Sequence, residues 1–282
     1  MTPLPVVASR DTVAPFSKAG TDRLIHAASF AAMLACSTAA FAQQPPGKGD
    51  PEGSSWGLGL AGISAQKVYK GMDSETKALP MVSYENQYVK IGGPNLELKL
   101  PGIELNESQR LGFGIVTKLF DGAGYEASDS SALAGMAERK SSVWLGGKME
   151  WENDLADVKL EWLGDASGKS KGQRFALGLE RKLMLSESLM LIPQVGIEWV
   201  DKKYVDYYYG VRPGEAMVGR AAYTGKATVN PEISLTGIYR FDTRHSMMLN
   251  VGVTSLGKEI KDSPIVDRST ESRVMLGYKY SF

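Results

Sequence analysis

The chain is poor in side chains that make or break bonds. Its 282 residues include two histidines, His26 and His245, and one cysteine, Cys36. Cys36 sits in an apolar N-terminal run whose removal would leave no thiol, hence no disulfide, thiolate nucleophile or cysteine-based metal site. His245 follows the tight turn Asp242-Thr243-Arg244. A hydrolase triad would need this base beside a serine and held by an orienting carboxylate; nothing in the sequence orients it, so a surface histidine is the simpler reading. Asp129-Ser130-Ser131 and Asp262 to Asp267 hold carboxylates that could take a hard cation, but neither has EF-hand spacing or a glycine at the required turn, so both read as solvated loops. Tyr207, Tyr208 and Tyr209 are unusual together in a loop. They suit an interfacial belt or internal packing, or a rigid amphipathic contact surface for a ligand or partner. No phosphate-binding loop, metal-ligand cluster or paired-carboxylate motif stands out, so no catalytic, metal or cofactor residue is expected and the protein is expected not to be an enzyme.

Charge excludes a further class. Lysine plus arginine equals aspartate plus glutamate at 32 each, and removing Arg10, Lys18, Arg23, Asp11 and Asp22 with a leader leaves 29 against 30. Without a basic field there is no case for nucleic acid as a partner. The leader itself is legible: Arg23 precedes an apolar run from Leu24 to Phe41 that ends in Ala40-Phe41-Ala42 before Gln43. A positive flank, an apolar core and an A-x-A site make residues 1–42 a signal peptide with an extended N-terminus, cut between Ala42 and Gln43. His26, Ser29, Ser37 and Thr38 interrupt the run, which is too short to span about 30 Å of hydrocarbon comfortably. Met33-Leu34-Ala35 makes a poor lipobox, which disfavours lipidation at Cys36. Residues 43–55, rich in Pro, Gly and small polar side chains, read as a flexible arm.

The remaining residues, 56–282, alternate. Trp56, Leu58 and Leu60 oppose Gly57, Gly59 and Ala61, and Met81 to Glu85 reads as the return strand. Tyr88 to Ile91 and Leu96 to Leu100 form a weaker pair around Gly92-Gly93-Pro94. The pattern then strengthens: Leu111 to Leu119, Val143 to Trp151, Val158 to Trp162, Phe175 to Leu179, Leu191 to Trp199, Ile233 to Phe241 and Met247 to Val253 each oppose an apolar face to one of charges and glycines. Arg273 to Phe282 closes the set, with Val274, Leu276, Tyr278, Tyr280 and Phe282 on one side.

Regular strands separated by turn signals, with no convincing helical window, mean an all-β sandwich or barrel. Short turns near Glu85 to Gln87, Asn106 to Ser108, Asn153-Asp154, Ser186 to Ser188 and Asp242 to Arg244 alternate with long connections at Val68 to Ala78, Asp121 to Ser141, Val205 to Lys226 and Lys258 to Glu271. Outer-membrane barrels show that asymmetry, with short periplasmic turns and long external loops. The expected fold is therefore an antiparallel transmembrane β-barrel of the outer-membrane type, of about 12 strands, or 10 if the weak pair is a loop excursion. Its first partner is outer-membrane lipid. Periodicity leaves open which face points inward. Tyr278, Tyr280 and Phe282 read as an assembly signal, with Phe282 zipping against Trp56 to Ala61 at a membrane interface.

Several segments resemble the MipA/OmpV family, the MltA-interacting outer-membrane proteins. They are the entry around Trp56, Leu58 and Gly59; Tyr69 to Ser74; Leu79-Pro80 with Tyr84; Asp129 to Arg139 with Leu133, Gly135 and Met136; Tyr207 to Val211 with Glu215-Ala216; Asp262 to Asp267; and Gly277 to Phe282. The Tyr-Tyr-Tyr-Gly-Val and Asp-Ser-Pro-Ile-Val-Asp pair in this order is the specific part. The resemblance implies an outer-membrane scaffold that brings a murein transglycosylase together with a murein synthase. It marks Tyr69, Asp73, Asp129, Arg139, Tyr207, Tyr208, Tyr209, Glu215, Asp262 and Asp267 as candidate contact residues on long loops. Those loops face outward, whereas murein enzymes work on the periplasmic side, where only short turns and the 43–55 arm are at hand. The alternative is a narrow pore, or a surface-binding protein that acts through its external loops.

Overall fold

The computed structural model describes residues 53–121 and 123–282. The expected signal peptide, the Ala42–Gln43 cleavage site, Cys36 and nearly all of the arm lie outside the described residues. The strands are β1 Ser55–Ala65, β2 Glu75–Glu85, β3 Val89–Gly92, β4 Asn95–Asn106, β5 Gln109–Asp121, β6 Ser142–Glu152, β7 Asp157–Asp165, β8 Gln173–Glu180, β9 Leu183–Met184, β10 Leu189–Val200, β11 Thr228–Arg240, β12 His245–Ser255 and β13 Thr270–Ser281. They form one antiparallel sheet in sequence order, closed where β13 pairs with β1. β8 and β9 both pair with β10 across a break at Arg181-Lys182, so they are two parts of one crossing and the barrel has twelve.

The structure settles which face points inward. Lys118, Arg174, Glu180, Asn250 and Arg273 are buried in the lumen, while Leu58, Leu145, Ile197, Leu235, Val251 and Leu276 are exposed on the outside. The charged and glycine face is the inner one because bilayer hydrocarbon takes the apolar face and leaves polar groups to satisfy one another inside. Trp162 is in register with Phe175, and Phe175 with Trp199, so three exposed rings form an aromatic row near the outer end. At the opposite end Trp56 and Tyr84 lie 4.4 Å apart, and Tyr280 meets both His245 and Phe282 edge-on. His245 is oriented after all: its Nδ1 contacts the Tyr278 hydroxyl, and Asp242 accepts from its backbone N–H at 2.8 Å. The β13–β1 register runs Gly57↔Ser281 to Ala65↔Arg273, and the Phe282 N–H donates to the Trp56 carbonyl at 3.0 Å.

Five elements differ from the expectation. β2 begins at Glu75, six residues ahead of the apolar signal at Met81, because pairing with β1 carries its polar start. β3 has four residues, whereas β4 continues to Asn106 through Pro101. The connection expected to be all loop contains a helix, α1 Lys202–Tyr209, whose N-cap Asp201 accepts from the Tyr204 N–H at 2.8 Å. Eight residues between β10 and a long irregular stretch give too short a window for helical periodicity to show. A second short helix, α2 Lys258–Lys261, lies in the last long loop.

Candidate functional site

Within the barrel the inward side chains pair along the wall, within a strand or with strands one to three positions away. Lys99 meets Glu85 at 2.8 Å, Lys148 meets Glu150 at 3.0 Å and Glu97 at 3.2 Å, and Lys159 meets Glu180 at 2.7 Å. Arg174 bridges Asp121 at 2.7 Å and Glu198 at 2.5 Å, Lys118 pairs with Glu161, and Arg273 meets Glu232 at 3.3 Å. A cavity of ≈170 Å³ lies among these groups, lined in part by Lys90, Asn95, Glu97, Lys118, Glu198 and Glu232. The arc from β10 to β2 differs: Ile63, Met81, Met190, Ile192, Ile238, Met248 and Met275 are buried together there and fill that part of the lumen. Glu150, Asp157 and Glu180 bring carboxylates within 4.8 Å of one another. Lysines already neutralise them, Lys148 and Lys159 at Glu150, Lys159 at Glu180 and Lys182 at Asp157, so the trio reads as part of the pairing and not as a cation site.

The end that carries the long loops is closed by them. Tyr69, Tyr125, Leu133, Met136, Tyr204, Val205, Tyr208, Tyr209, Ile260 and Ile265 form a second apolar core that rests on Trp144, Leu163 and Val200 at the top of the strands. Tyr69 is its hub: the hydroxyl donates to the Ala123 carbonyl at 2.5 Å and the Tyr208 carbonyl at 3.2 Å, while the ring lies 4.7 Å from Tyr125 and 5.7 Å from Tyr209. Arg139 is as central. Its Nε donates to the Tyr207 carbonyl at 2.7 Å, and its Nη2 reaches Glu215 at 2.9 Å in a buried pair. Arg220 donates to the carbonyls of Ala132 and Ala134 at 2.7 and 2.9 Å. Ser263 donates to the Tyr209 carbonyl at 2.6 Å, and Tyr69 bridges to Val266, so the last long loop is fastened to α1 and to the first.

These contacts set the protonation of the lid. Burial alone would raise the Glu215 carboxyl, but hydrogen bonds from Arg139 and from the Arg212 and Ala137 N–H groups outweigh it and hold the group below its ordinary value. Burial pushes the Tyr125 phenol up to about 12, and its hydroxyl has no protein partner. Tyr69, Tyr204 and Tyr209 are likewise raised, chiefly by burial.

The candidate contact residues therefore divide. Tyr69, Arg139, Tyr208, Tyr209 and Glu215 are buried inside the lid, Tyr207 is half-buried with its hydroxyl accepting from the Lys140 N–H at 2.9 Å, and Asp73, Asp129, Asp262 and Asp267 are exposed around it. The lid brings the buried members together from three loops. Tyr125, Tyr204 and Arg220 belong to the same cluster and were not singled out from the sequence, where each is one residue in an aperiodic stretch.

The model of the family described as MltA-interacting protein MipA matches residues 58–282. YiaT of Escherichia coli (strain K12), named for the outer membrane, is 27% identical over 233 residues, covering 80% of this chain and 90% of its own. MltA-interacting protein of the same strain is 24% identical over 231 residues, covering 79% and 88%. An outer membrane channel of Pseudomonas putida F1 superposes with a TM-score of 0.44 at 14% identity, covering 85% of this chain and 100% of that one.

Proposed function

Because the chain belongs to the MltA-interacting protein MipA family and is an outer-membrane β-barrel, we propose that it is a non-enzymatic scaffold in cell-wall assembly. Its partners in this reading are the murein transglycosylase and the murein synthase that the resemblance implies. The observation that carries it lies at the end where β1 starts and β13 stops. Val89, the first residue of β3, pairs with Leu98, yet β4 runs on through Lys99 to Asn106, so the β4–β5 hairpin projects beyond its neighbour. Leu100, Ile103 and Leu105 on it are exposed. This hairpin adds to the short turns and the 43–55 arm on the side where murein enzymes work. A stable interface needs roughly 800 Å² per partner, which a turn alone does not supply. The test is capture from a periplasmic extract by the purified barrel, with and without residues 102–109 replaced by a tight turn. Retention of transglycosylase by the intact barrel and its loss on trimming is the expected result; no retained murein enzyme in either case refutes the scaffold.

A second reading, a narrow pore or a surface-binding protein, draws on the lumen cavity and on the exposed Asp73, Asp129, Asp262 and Asp267. Conductance steps in a planar bilayer would favour the pore, and the closed lid and paired lumen predict none.

A further inference from the structure

The barrel wall is incomplete at one place. β3 pairs with β2 only at Ser83 to Glu85, and the Gly93 N–H adds one bond to the Val82 carbonyl at 3.0 Å. Backbone groups alternate sides along an antiparallel strand, so Thr76, Ala78 and Pro80 present theirs on the same side as Val82. Among the described residues no strand pairs with that edge. Pro80 suits it, because proline brings no N–H and is tolerated at unpaired edges. On the far side, β4 starts only at Asn95, opposite Lys118 of β5. A window is left, bounded by β2 and β5, which are three strand spacings or about 14 Å apart.

All four sides of the window can be named. The sill is the Gly93-Pro94 turn, where Gly93 takes a φ of 57° and the Pro94 carbonyl accepts from the Leu119 N–H at 3.1 Å. The lintel is the contact of Tyr69 with Ala123 and Tyr125, which ties the loop above β2 to the loop above β5. Outward from the sill, Val82 and Leu119 are exposed and apolar, which places the window against hydrocarbon. Inward, Gly92, Asn95 and Lys118 beside the sill also line the central cavity. Leu79, half-buried on the β2 jamb, packs against the apolar cluster of Ile63 and Met81. The axial mouth is filled by the lid, so the route into the lumen from the outer side is through the wall.

We propose that this window admits single-chain amphiphiles from the outer leaflet, the polar head entering the ion-paired cavity and the alkyl tail remaining between the jambs. Backbone groups of the open edge are unsatisfied against hydrocarbon, so a polar head passing between the jambs is favoured there over bulk acyl chains, while Leu79, Val82 and Leu119 offer the tail an apolar surface. The inference is independent of the scaffold reading, since it concerns the other end of the barrel.

Trp144 reports on it. It is fully buried, its Nε1 donates to the Asp121 carbonyl at 3.0 Å, and it pairs with Lys118 one strand behind the β5 jamb. In the full chain carrying Trp56→Phe, Trp151→Phe, Trp162→Phe and Trp199→Phe, reconstituted in nanodiscs, dibrominated stearate should quench Trp144 saturably. Unbrominated stearate should reverse the loss. Absence of quenching overturns the proposal. So does equal, unsaturable quenching by dibrominated phosphatidylcholine, which would mean that Trp144 merely faces bulk lipid. If the four replacements prevent refolding, native mass spectrometry of the unaltered chain with stearate decides: a one-to-one adduct is expected, and its absence refutes the site.

Discussion

Arg139 and Glu215 show how a residue type that suggests binding serves packing instead. Their charges meet at 2.9 Å with the arginine side chain 1% and the glutamate 8% exposed, so removing one partner strands the other. Arg139→Leu should loosen the lid by about 3–5 kcal/mol, the usual cost of breaking a buried pair. Protease cleavage within 205–226 on intact cells measures it, and unchanged protection would refute the role. Tyr125→Phe should do the opposite, because it deletes a buried hydroxyl that lacks a protein partner; lid stability should hold or rise. Titration gives a third expectation. Glu215 is depressed in the folded lid, so its contribution is present above the ordinary carboxylate range and is lost as pH falls through its lowered value. Tyr125 is raised from 10.0 to about 12, so its contribution is full below about pH 10 and drains as pH climbs toward 12. Lid protection should therefore fail at both extremes, and Glu215→Gln should abolish only the acid step.

At the scale of elements, close approach of backbones governs. A Cβ added at Gly59 would lie 2.1 Å from the Tyr278 carbonyl oxygen, and one at Gly146 would lie 1.8 Å from that of Trp162. Gly59→Val should thus pry β1 from β13, lowering the folded fraction seen as heat-modifiable mobility on a gel. Deleting Phe282, whose N–H bonds Trp56, should impair membrane assembly far more than deleting a residue of the 43–55 arm. Most strands were legible because hydrocarbon outside and charge inside impose a period of two, as in Leu145 to Trp151 against Gly146 to Glu150. β3 was legible as a weak run but its consequence was not: four residues look like a shortened strand, and only register shows that β2 is left with an open edge. α1 was missed because its buried Tyr204, Val205, Tyr208 and Tyr209 gain their meaning from three other loops.

On the scale of the whole molecule, two ends are built differently. The outer end is a lid whose family-like motifs are turned inward on one another, and the other end offers the β4–β5 hairpin and both terminal strands. The sequence showed long loops gathered at one end, but not that they close, since closure depends on side chains brought together from Tyr69 to Val266. A protein read only from its long outer loops would look like a receptor; packed, those loops are mostly occupied with each other.

The β1–β13 seam has a kinetic consequence. It joins residues about as far apart in the described chain as any can be, and every other ladder in the barrel links strands that are near neighbours in sequence. Loop-closure entropy makes that last contact the slow one, and until it forms two complete strand edges remain open to wrong partners. Changes at Gly59 or Phe282 should accordingly lengthen the time to a closed barrel and increase aggregation on the way. Barrels that do close should unfold almost as slowly as the original, so the defect belongs to the journey more than to the product.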